Sequence, residues 1–198
     1  RQAYDALSQE QGLQELLQDP DASAALKPLC LLSAKPALYV ANVSEQDLNG
    51  NDQVTQLIDH AHKRQTQVVV VSAAIEQEIS EIDADERAGF LEDLGLESSG
   101  LDRVIRAGYA LLGLQTFFTA GPKEVRAWTA PCGATAPQAA GEIHTDFERG
   151  FIRAETIAYD DFVQYQGEQG AREAGRLRLE GKEYVLSDGD IMHFRFNV

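Results

Sequence analysis

Four consecutive valines at residues 68–71 constrain the fold of this chain more than any other feature. A second apolar run, Ala37–Ala41, precedes them, and continuous runs of this kind predict strands buried on both faces, as in parallel sheets. Between the runs, apolar residues recur at the spacing of one helix face: Val54, Leu57, Ile58 and Ala61. Strand, helix and strand over residues 37–71 predict a βαβ unit with a right-handed crossover.

Helical patterns flank this unit on both sides. Upstream, Leu13, Leu16 and Leu17 have helical spacing, and Asp19-Pro20 is predicted to end that helix. Asp21 or Ser23 could then cap a second short helix that runs through Leu26 and ends at Pro28. Downstream, Ile75, Ile79 and Ile82 share a helix face, Gly95 breaks the pattern, and Ser99 or Asp102 caps a further helix that ends at Gly113. The downstream acidic run predicts a solvated helix face rather than a metal site: Glu76, Glu78, Glu81, Asp83, Asp85 and Glu86.

The spacing of apolar residues changes at Leu114 from a period of 3.6 residues, typical of helices, to a period of 2, typical of strands. We therefore place a domain boundary at Gly113. Gln115–Ala120 and Glu124–Thr129 flank the turn pair Gly121-Pro122 and predict a hairpin. A helix is predicted at Pro137–Ile143 and another short one from Asp160. The remaining strand candidates are Phe151–Tyr159, with Arg153 and Glu155 facing away from Ile152 and Ala154, then Arg176–Leu179, Glu183–Leu186 and Ile191–Phe196. Together they predict a mixed sheet of the β-grasp kind.

Charge and composition exclude several classes of protein. The net charge is −15, with −11 in residues 1–113 and −4 in residues 114–198. Such a chain repels phosphate backbones at long range, although the second part is close enough to neutral to carry a local basic face. Two cysteines, Cys30 and Cys132, cannot frame a disulfide-stapled fold or a four-cysteine zinc site. No apolar run is long enough to span a bilayer and the start shows no signal-peptide pattern, so we expect a cytoplasmic protein without a membrane partner.

The most informative candidate site lies where the two predicted strands end. Asn42-Val43-Ser44-Glu45 follows the first strand and Ser72-Ala73 follows the second. Ligands of open α/β sheets bind outside the carboxyl ends of the strands, and P-loop GTPases read guanine there with an Asn-Lys-x-Asp motif and a Ser-Ala loop. Alternatively, Asn42 could cap the helix that begins near Gln46.

The residues at this site favour adenine over guanine. Val43 stands in the place of the Lys and Glu45 in that of the Asp, and the longer Glu no longer puts its oxygens at the guanine edge. Asn42 can still pair with the N6 and N7 edge of adenine. We therefore predict a base-binding site made of Asn42, Val43, Ser44, Glu45, Ser72 and Ala73, with adenine nucleotide as ligand.

Four stretches resemble the YchF / Obg-like ATPase family, and together they make the likeness specific over residues 29–198. They are Ala41–Glu45, Thr119–Trp128, His144–Glu155 and Asp188–Val198. The resemblance implies a partial P-loop NTPase sheet of Rossmann-like α/β type followed by a β-grasp, ubiquitin-like TGS domain. Residues 1–34 would be the end of the helical insertion domain, 35–112 the C-terminal half of the nucleotide-binding domain, and 113–198 the TGS domain.

The resemblance also implies an activity that this sequence carries only in part. Intact members would bind ATP with Mg²⁺, hydrolyse it in preference to GTP and associate with the ribosome, through the large subunit or RNA. The phosphate-binding motif G-x-x-x-x-G-K-[ST] is absent from the sequence, and Gly181-Lys182-Glu183 lacks the hydroxyl that binds magnesium. We therefore expect no catalytic residue, no metal site and no hydrolysis in this chain alone. The missing initiator Met agrees with the expectation that the N-terminal half of the family's domain is missing.

A binding module without nucleotide function is the alternative. In that case the contacts to RNA or the ribosome would come from Lys123, Arg126, His144, Arg149 and Arg153. Convergence of the basic residues on one face of the sheet would favour this alternative. His144 and Asp146 could form an acid–base pair, but such neighbours at a helix end more often act as caps. His60 and His62 are two apart on a helix and so point to different faces, which argues against a shared metal.

Overall fold

The computed structural model describes residues 1–9, 11–13 and 15–197. The chain divides into two compact units, Arg1–Leu112 and Gly113–Val198. In the part of the chain that the structure describes, no helix is long and apolar enough to cross a membrane.

The first unit is built from two parallel strands and the helices around them. In chain order its elements are α1 (Gln2–Ser8), α2 (Pro20–Leu26), β1 (Leu38–Asn42), α3 (Asp52–Lys63), β2 (Gln67–Val71), α4 (Ala73–Glu81), α5 (Ala84–Asp93) and α6 (Gly100–Leu112). β1 and β2 pair in parallel from Leu38 opposite Gln67 to Asn42 opposite Val71. The predicted βαβ unit is therefore confirmed.

Burial in this unit is less complete than the sequence predicts. The helix face of α3 buries Val54 and Ala61, and the Asn51 side chain caps the helix by accepting a hydrogen bond from Val54 N–H at 2.9 Å. The expectation that both strands are buried on both faces is wrong, because Val40 is 48% exposed and only Val69 of the valine run is buried. A two-stranded sheet is too narrow to cover the outer side of β1.

The first residues fold differently from the prediction. Leu16–Gln18 forms a single 3₁₀ turn, and Asp19-Pro20 begins α2 instead of ending a helix. The Asp19 side chain accepts a hydrogen bond from Asp21 N–H at 3.0 Å, so Asp19 is the cap that we predicted at Asp21 or Ser23. Proline suits the first helical position because the N–H that it lacks would have no helical partner.

The helices after β2 follow the predicted pattern with one interruption. Ile75 and Ile79 are buried on α4, and the chain breaks at Ile82 before α5 begins. Ser99 Oγ accepts a hydrogen bond from Asp102 N–H at 3.0 Å, which confirms Ser99 as the cap of α6. Gly113 follows α6 with φ +62°, a left-handed conformation that glycine adopts without strain.

The second unit is a five-stranded mixed sheet with helices. Its elements are β3 (Leu114–Ala120), β4 (Val125–Pro131), α7 (Ala136–Ile143), α8 (Thr145–Arg149), β5 (Phe151–Ile157), α9 (Tyr159–Gln164), α10 (Glu168–Glu173), β6 (Arg178–Glu180) and β7 (Ile191–Phe196). The strand order is β4-β3-β7-β5-β6, with β3 and β7 parallel and the other neighbours antiparallel. The predicted hairpin is β3–β4.

One face of this sheet carries the core. α7 buries three alanines against it, and such small side chains let the helix approach the strands closely. The sheet contributes aromatic and apolar residues from four strands, and the main members of this cluster are Phe117, Ala130, Phe151, Ala154, Met192 and Phe194. The Trp128 ring packs at the edge of the cluster and stacks on Phe117 with ring centroids 6.5 Å apart.

The structure of the second unit differs from the prediction in three respects. Glu183–Leu186 is not a strand, because Val185 forms only an isolated bridge to Thr135. The helices α8 and α10 have no counterpart among the predicted elements. Ile152 is exposed rather than opposed to Arg153, because the pairing of β5 with β7 shifts register between Phe151 and Arg153. A bulge of this kind turns one side chain out of the alternating pattern.

A buried carboxylate holds the segment that replaces the predicted strand. Asp190 is 2% exposed, and its Oδ2 accepts hydrogen bonds from the Tyr184 hydroxyl at 2.7 Å and from Ser187 N–H at 2.9 Å. Arg178 lies 3.5 Å from Oδ1 and supplies the opposite charge. Burial raises the pKa of Tyr184 above its ordinary value of 10.0, and the bond to Asp190 raises it further. The segment is therefore fixed by buried polar contacts rather than by a strand ladder.

We expect Asp190→Ala to lower the free energy of unfolding of the second unit by about 3 kcal/mol, because it leaves buried donors without their acceptor. Trp128 is the only tryptophan of the chain and lies in this unit, so its fluorescence during urea denaturation measures the change. Glu183→Ala is the control, because Glu183 is exposed in the same segment. Equal midpoints for the two variants would contradict the role of Asp190.

Candidate functional site at the strand ends

One side chain joins the carboxyl ends of β1 and β2. Asn42 Oδ1 accepts a hydrogen bond from the backbone N–H of Ala73 at 3.0 Å. Ala73 is the first residue of α4, so its N–H has no partner within that helix. Val43 N–H also donates to Val71 O at 2.8 Å, which extends the pairing of the strands past their ends. The structure thus brings together Asn42 and the Ser72–Ala73 loop.

The alternative role of Asn42 as a cap near Gln46 is wrong. Glu45–Asp47 forms only a 3₁₀ turn, and it has no side-chain cap within the described part of the chain. Asn42 does act as a cap, but for α4, whose sequence position is 31 residues away. Sequence distance concealed this contact because it depends on the parallel pairing of the two strands.

Ser72 contributes a buried hydroxyl beside this contact. The residue is 2% exposed, and its Oγ has no hydrogen-bond partner within the described residues. A buried hydroxyl without a partner costs about 1–3 kcal/mol. Such a group is either a cost of the fold or a group that serves a ligand.

Only some of the other predicted base-binding residues lie around one common space. Glu45 opens the 3₁₀ turn and is exposed, and Ser44 Oγ donates to Asp47 Oδ2 at 2.7 Å. Asn42, Val43 and Ser44 line a cavity of about 320 Å³. Glu45, Ser72 and Ala73 do not line that cavity, so the six residues surround the strand ends rather than one enclosed pocket.

The basic residues of the second unit do not share one face. Arg126 lies on the core face of the sheet, 4.1 Å above the Trp128 ring, and its Nη1 is 3.9 Å from Glu124 Oε1. Arg153 alternates with the buried Ala154 and therefore lies on the opposite face. Lys123 is exposed in the β3–β4 turn, and Arg149 is exposed at the end of α8. The predicted basic residues are therefore divided between different parts of the second unit. This weakens the case for a single RNA or ribosome contact surface made of all of them.

His144 acts as a helix cap. Its Nδ1 accepts a hydrogen bond from Asp146 N–H at 3.2 Å at the start of α8. Asp146 Oδ2 also lies 3.4 Å from the same nitrogen, so both contacts between the two residues belong to the start of the helix. This geometry explains the His-x-Asp spacing without an acid–base pair.

Sequence reasoning missed the role of Glu76. Its Oε1 accepts a hydrogen bond from Gly100 N–H at 2.6 Å, and its Oε2 accepts one from Leu101 N–H at 3.0 Å. The acidic run in which Glu76 stands indicated only a solvated face. The signal that could have found it is the pairing of an acidic residue in the first turn of α4 with a following helix start at Ser99-Gly100.

Comparisons with known proteins show what this chain is similar to. Residues 114–197 match a family model named YchF-GTPase_C and described as a protein of unknown function. Over 180 residues the chain is 61% identical to "Ribosome-binding ATPase YchF" of Pasteurella multocida, which covers 91% of this chain and 50% of that protein. The namesake of Bacillus subtilis is 56% identical over 176 residues, covering 87% of this chain and 48% of that protein.

A solved structure is also similar. The Schizosaccharomyces pombe YchF GTPase superimposes with a TM-score of 0.75 at 35% identity, covering 89% of this chain and 48% of that one. The chain spans about half the length of the curated relatives that it matches.

We expect Ser72→Ala to leave the free energy of unfolding of the first unit unchanged or to raise it by up to about 1 kcal/mol, because the hydroxyl has no partner to lose among the described residues. Ser99→Ala is the matched control, since it removes a buried serine that caps α6 and should cost about 1 kcal/mol. Hydrogen exchange of amides in α4 and α6 measures both. A loss for Ser72→Ala as large as that for Ser99→Ala would contradict an unpaired hydroxyl.

Proposed function

This chain belongs to the YchF family, and from that membership we propose that its first unit forms the purine-binding end of a nucleotide site. The site would consist of Asn42, Val43, Ser44, Glu45, Ser72 and Ala73. In the intact protein this site would serve the hydrolysis of ATP in preference to GTP, with Mg²⁺ bound to the phosphates. The bond from Ala73 N–H to Asn42 Oδ1 is the observation that carries the proposal, since it aligns both loops at the strand ends.

The chemistry of Asn42 shapes what the site can read. Its Oδ1 already accepts a hydrogen bond from Ala73, whereas its Nδ2 remains a donor. A donor at this place suits N7, an acceptor that adenine and guanine share. Selectivity therefore falls on the side chains that face the rest of the base, and we assign it to Glu45 and Val43.

Glu45 and Val43 differ from a guanine reader in reach and in charge. A guanine edge needs two closely placed carboxylate oxygens, and the extra methylene of Glu45 moves them away. Val43 covers a base with an apolar side chain instead of a cationic stem. The bacterial relatives are named ATPases and the yeast relative a GTPase, so we test the base preference directly.

This chain by itself should not hydrolyse ATP. Phosphoryl transfer depends on groups that position the phosphates, the metal and the water, and they include the phosphate loop and the magnesium-binding hydroxyl. The sequence contains no G-x-x-x-x-G-K-[ST] motif. We therefore assign the chain a contact with the base and no catalytic residue.

The double variant Val43→Lys/Glu45→Asp rebuilds the Asn-Lys-x-Asp motif and should raise the binding of GTP relative to ATP by about tenfold, the effect of one good base contact. Saturation-transfer NMR of the full chain with each nucleotide measures the ratio. Wild-type chain with ATP and Mg²⁺ should release no phosphate above buffer in the same samples.

The control is Thr55→Lys/Asp59→Glu on the exposed side of α3, which adds the same positive charge and also changes one carboxylate side chain by one methylene, away from the strand ends. An unchanged ratio in the test variant, or an equal change in the control, would refute the assignment of base selectivity to residues 43 and 45.

We also propose that the second unit is a β-grasp domain of the TGS type. Numbered within the unit, its strands run in the order 2-1-5-3-4, with the first and last strands parallel at the centre and a helix packed on one face. This order supports the proposal, because a β-grasp sheet places its first and last strands side by side. The match of residues 114–197 to the C-terminal YchF model supports it as well.

A second candidate function, contact with RNA or the ribosome, is favoured by one feature of that sheet. Arg153 and Arg195 are direct partners on β5 and β7, and both are exposed on the face away from the core. Like charges opposite each other destabilise a sheet. Glu155 lies 3.3 Å from Arg195, but among the described residues Arg153 has no ion pair. A phosphate backbone would supply the missing negative charge, and a ribosomal partner fits the cytoplasmic location expected from the sequence.

Arg153→Ala/Arg195→Ala should weaken binding of a labelled single-stranded RNA by about tenfold at low salt and flatten its salt dependence, because two phosphate contacts are lost. Fluorescence anisotropy of the full chain measures the affinity. Arg126→Ala is the control, since Arg126 lies on the opposite face. If Arg126→Ala weakens binding as much as the double variant does, the surface has been assigned to the wrong face.

A further inference from the structure

We infer that Glu76 is a positioning residue for the Ser72–Ala73 loop of the proposed base site. Glu76 holds this loop by binding the N-terminus of α6. The inference rests on the proposed function for the role of that loop in binding the base. The contact between Glu76 and α6 lies within the first unit and is independent of the proposed function.

The contact is close and saturates the helix start. Glu76 binds Gly100 N–H at 2.6 Å and Leu101 N–H at 3.0 Å, while Ser99 Oγ binds the next free N–H, that of Asp102. The first N–H groups of a helix lack helical partners, and the helix dipole favours a negative charge beside them. A carboxylate at this place therefore meets both requirements at once.

A side chain at Gly100 would crowd this contact. A Cβ at Gly100 would lie 2.8 Å from Glu76 Oε1 and 3.0 Å from Val71 Cγ1. Val71 is the last residue of β2 and directly precedes Ser72. The start of α6 thus packs against both ends of the Ser72–Ala73 loop: the strand that leads into it and the helix turn that leads out.

Glu76 transmits this contact to the loop through the backbone. Its N–H donates to Ser72 O at 3.0 Å, and the neighbouring Ala73 N–H donates to Asn42 Oδ1. Asn42 therefore caps α4 from β1, and Glu76, in the first turn of α4, caps α6. The loop lies between these two caps, so loss of either one frees it.

The test compares Glu76→Gln with Glu78→Gln in the full chain. Glu78 is an exposed acid on the same helix, two residues away. The amide introduced by Glu76→Gln keeps only one acceptor oxygen, so we expect amide exchange at Ala73, Gly100 and Leu101 to accelerate by about fivefold, the size of one helix cap, and not in Glu78→Gln. Gly100→Ala, which disturbs the contact from the other side, should accelerate exchange at Ala73 as well.

A purely structural role would leave base recognition unchanged. We expect Glu76→Gln to weaken the saturation-transfer signals of ATP and GTP by a similar factor, since the loop contacts both bases. Unchanged exchange at Ala73 in both Glu76→Gln and Gly100→Ala would overturn the inference, as would accelerated exchange with unaltered nucleotide binding. If the wild-type chain binds no nucleotide while Ala73 exchange still responds, the proposed base site fails and the hold of Glu76 on the loop stands.

Discussion

The hydrogen bond from Ala73 to Asn42 is the contact on which the organisation of the first unit depends. A parallel βαβ unit delivers two loops to the same edge, but pairing of the strands alone does not fix how the loops face each other. The carboxamide fixes it by taking up an N–H that α4 cannot satisfy itself. A structural need, the capping of a helix, therefore produces the geometry that a ligand site would use.

The same physical rule recurs along the chain. Asp19 caps α2, Asn51 caps α3, Ser99 and Glu76 together saturate the start of α6, and His144 caps α8. Local caps stand just before the helix that they serve and can be found in the sequence. Asn42 and Glu76 reach across 31 and 24 residues, and these long-range caps join elements to one another.

The second unit is held together by a different means. Its core consists of aromatic side chains on the sheet and alanines on α7, while the segment before β7 depends on the buried Asp190. The sequence of Glu183–Leu186 within that segment has the pattern of a short strand. The segment nevertheless follows its contacts to Asp190, because the oxygens of a buried carboxylate need hydrogen-bond donors. On the opposite face of the sheet Arg153 and Arg195 lie side by side, and of the two only Arg195 has an ion pair among the described residues, with Glu155, in a chain of net charge −15.

The sequence by itself determined the elements whose signals are local: the βαβ unit around Val68–Val71, the β3–β4 hairpin, the cap at Ser99 and the change of period at Gly113. It also pointed to Asn42 and Ser72-Ala73, because residues that follow parallel strands share an edge. Only the tertiary structure decided which partner Asn42 takes and that Arg126 and Arg153 face opposite ways. It also decided that Glu76, which belongs to the acidic run predicted to be solvated, binds the start of α6. Those outcomes depend on strand pairing and on close approach between distant segments, and hydrophobic periodicity does not encode them.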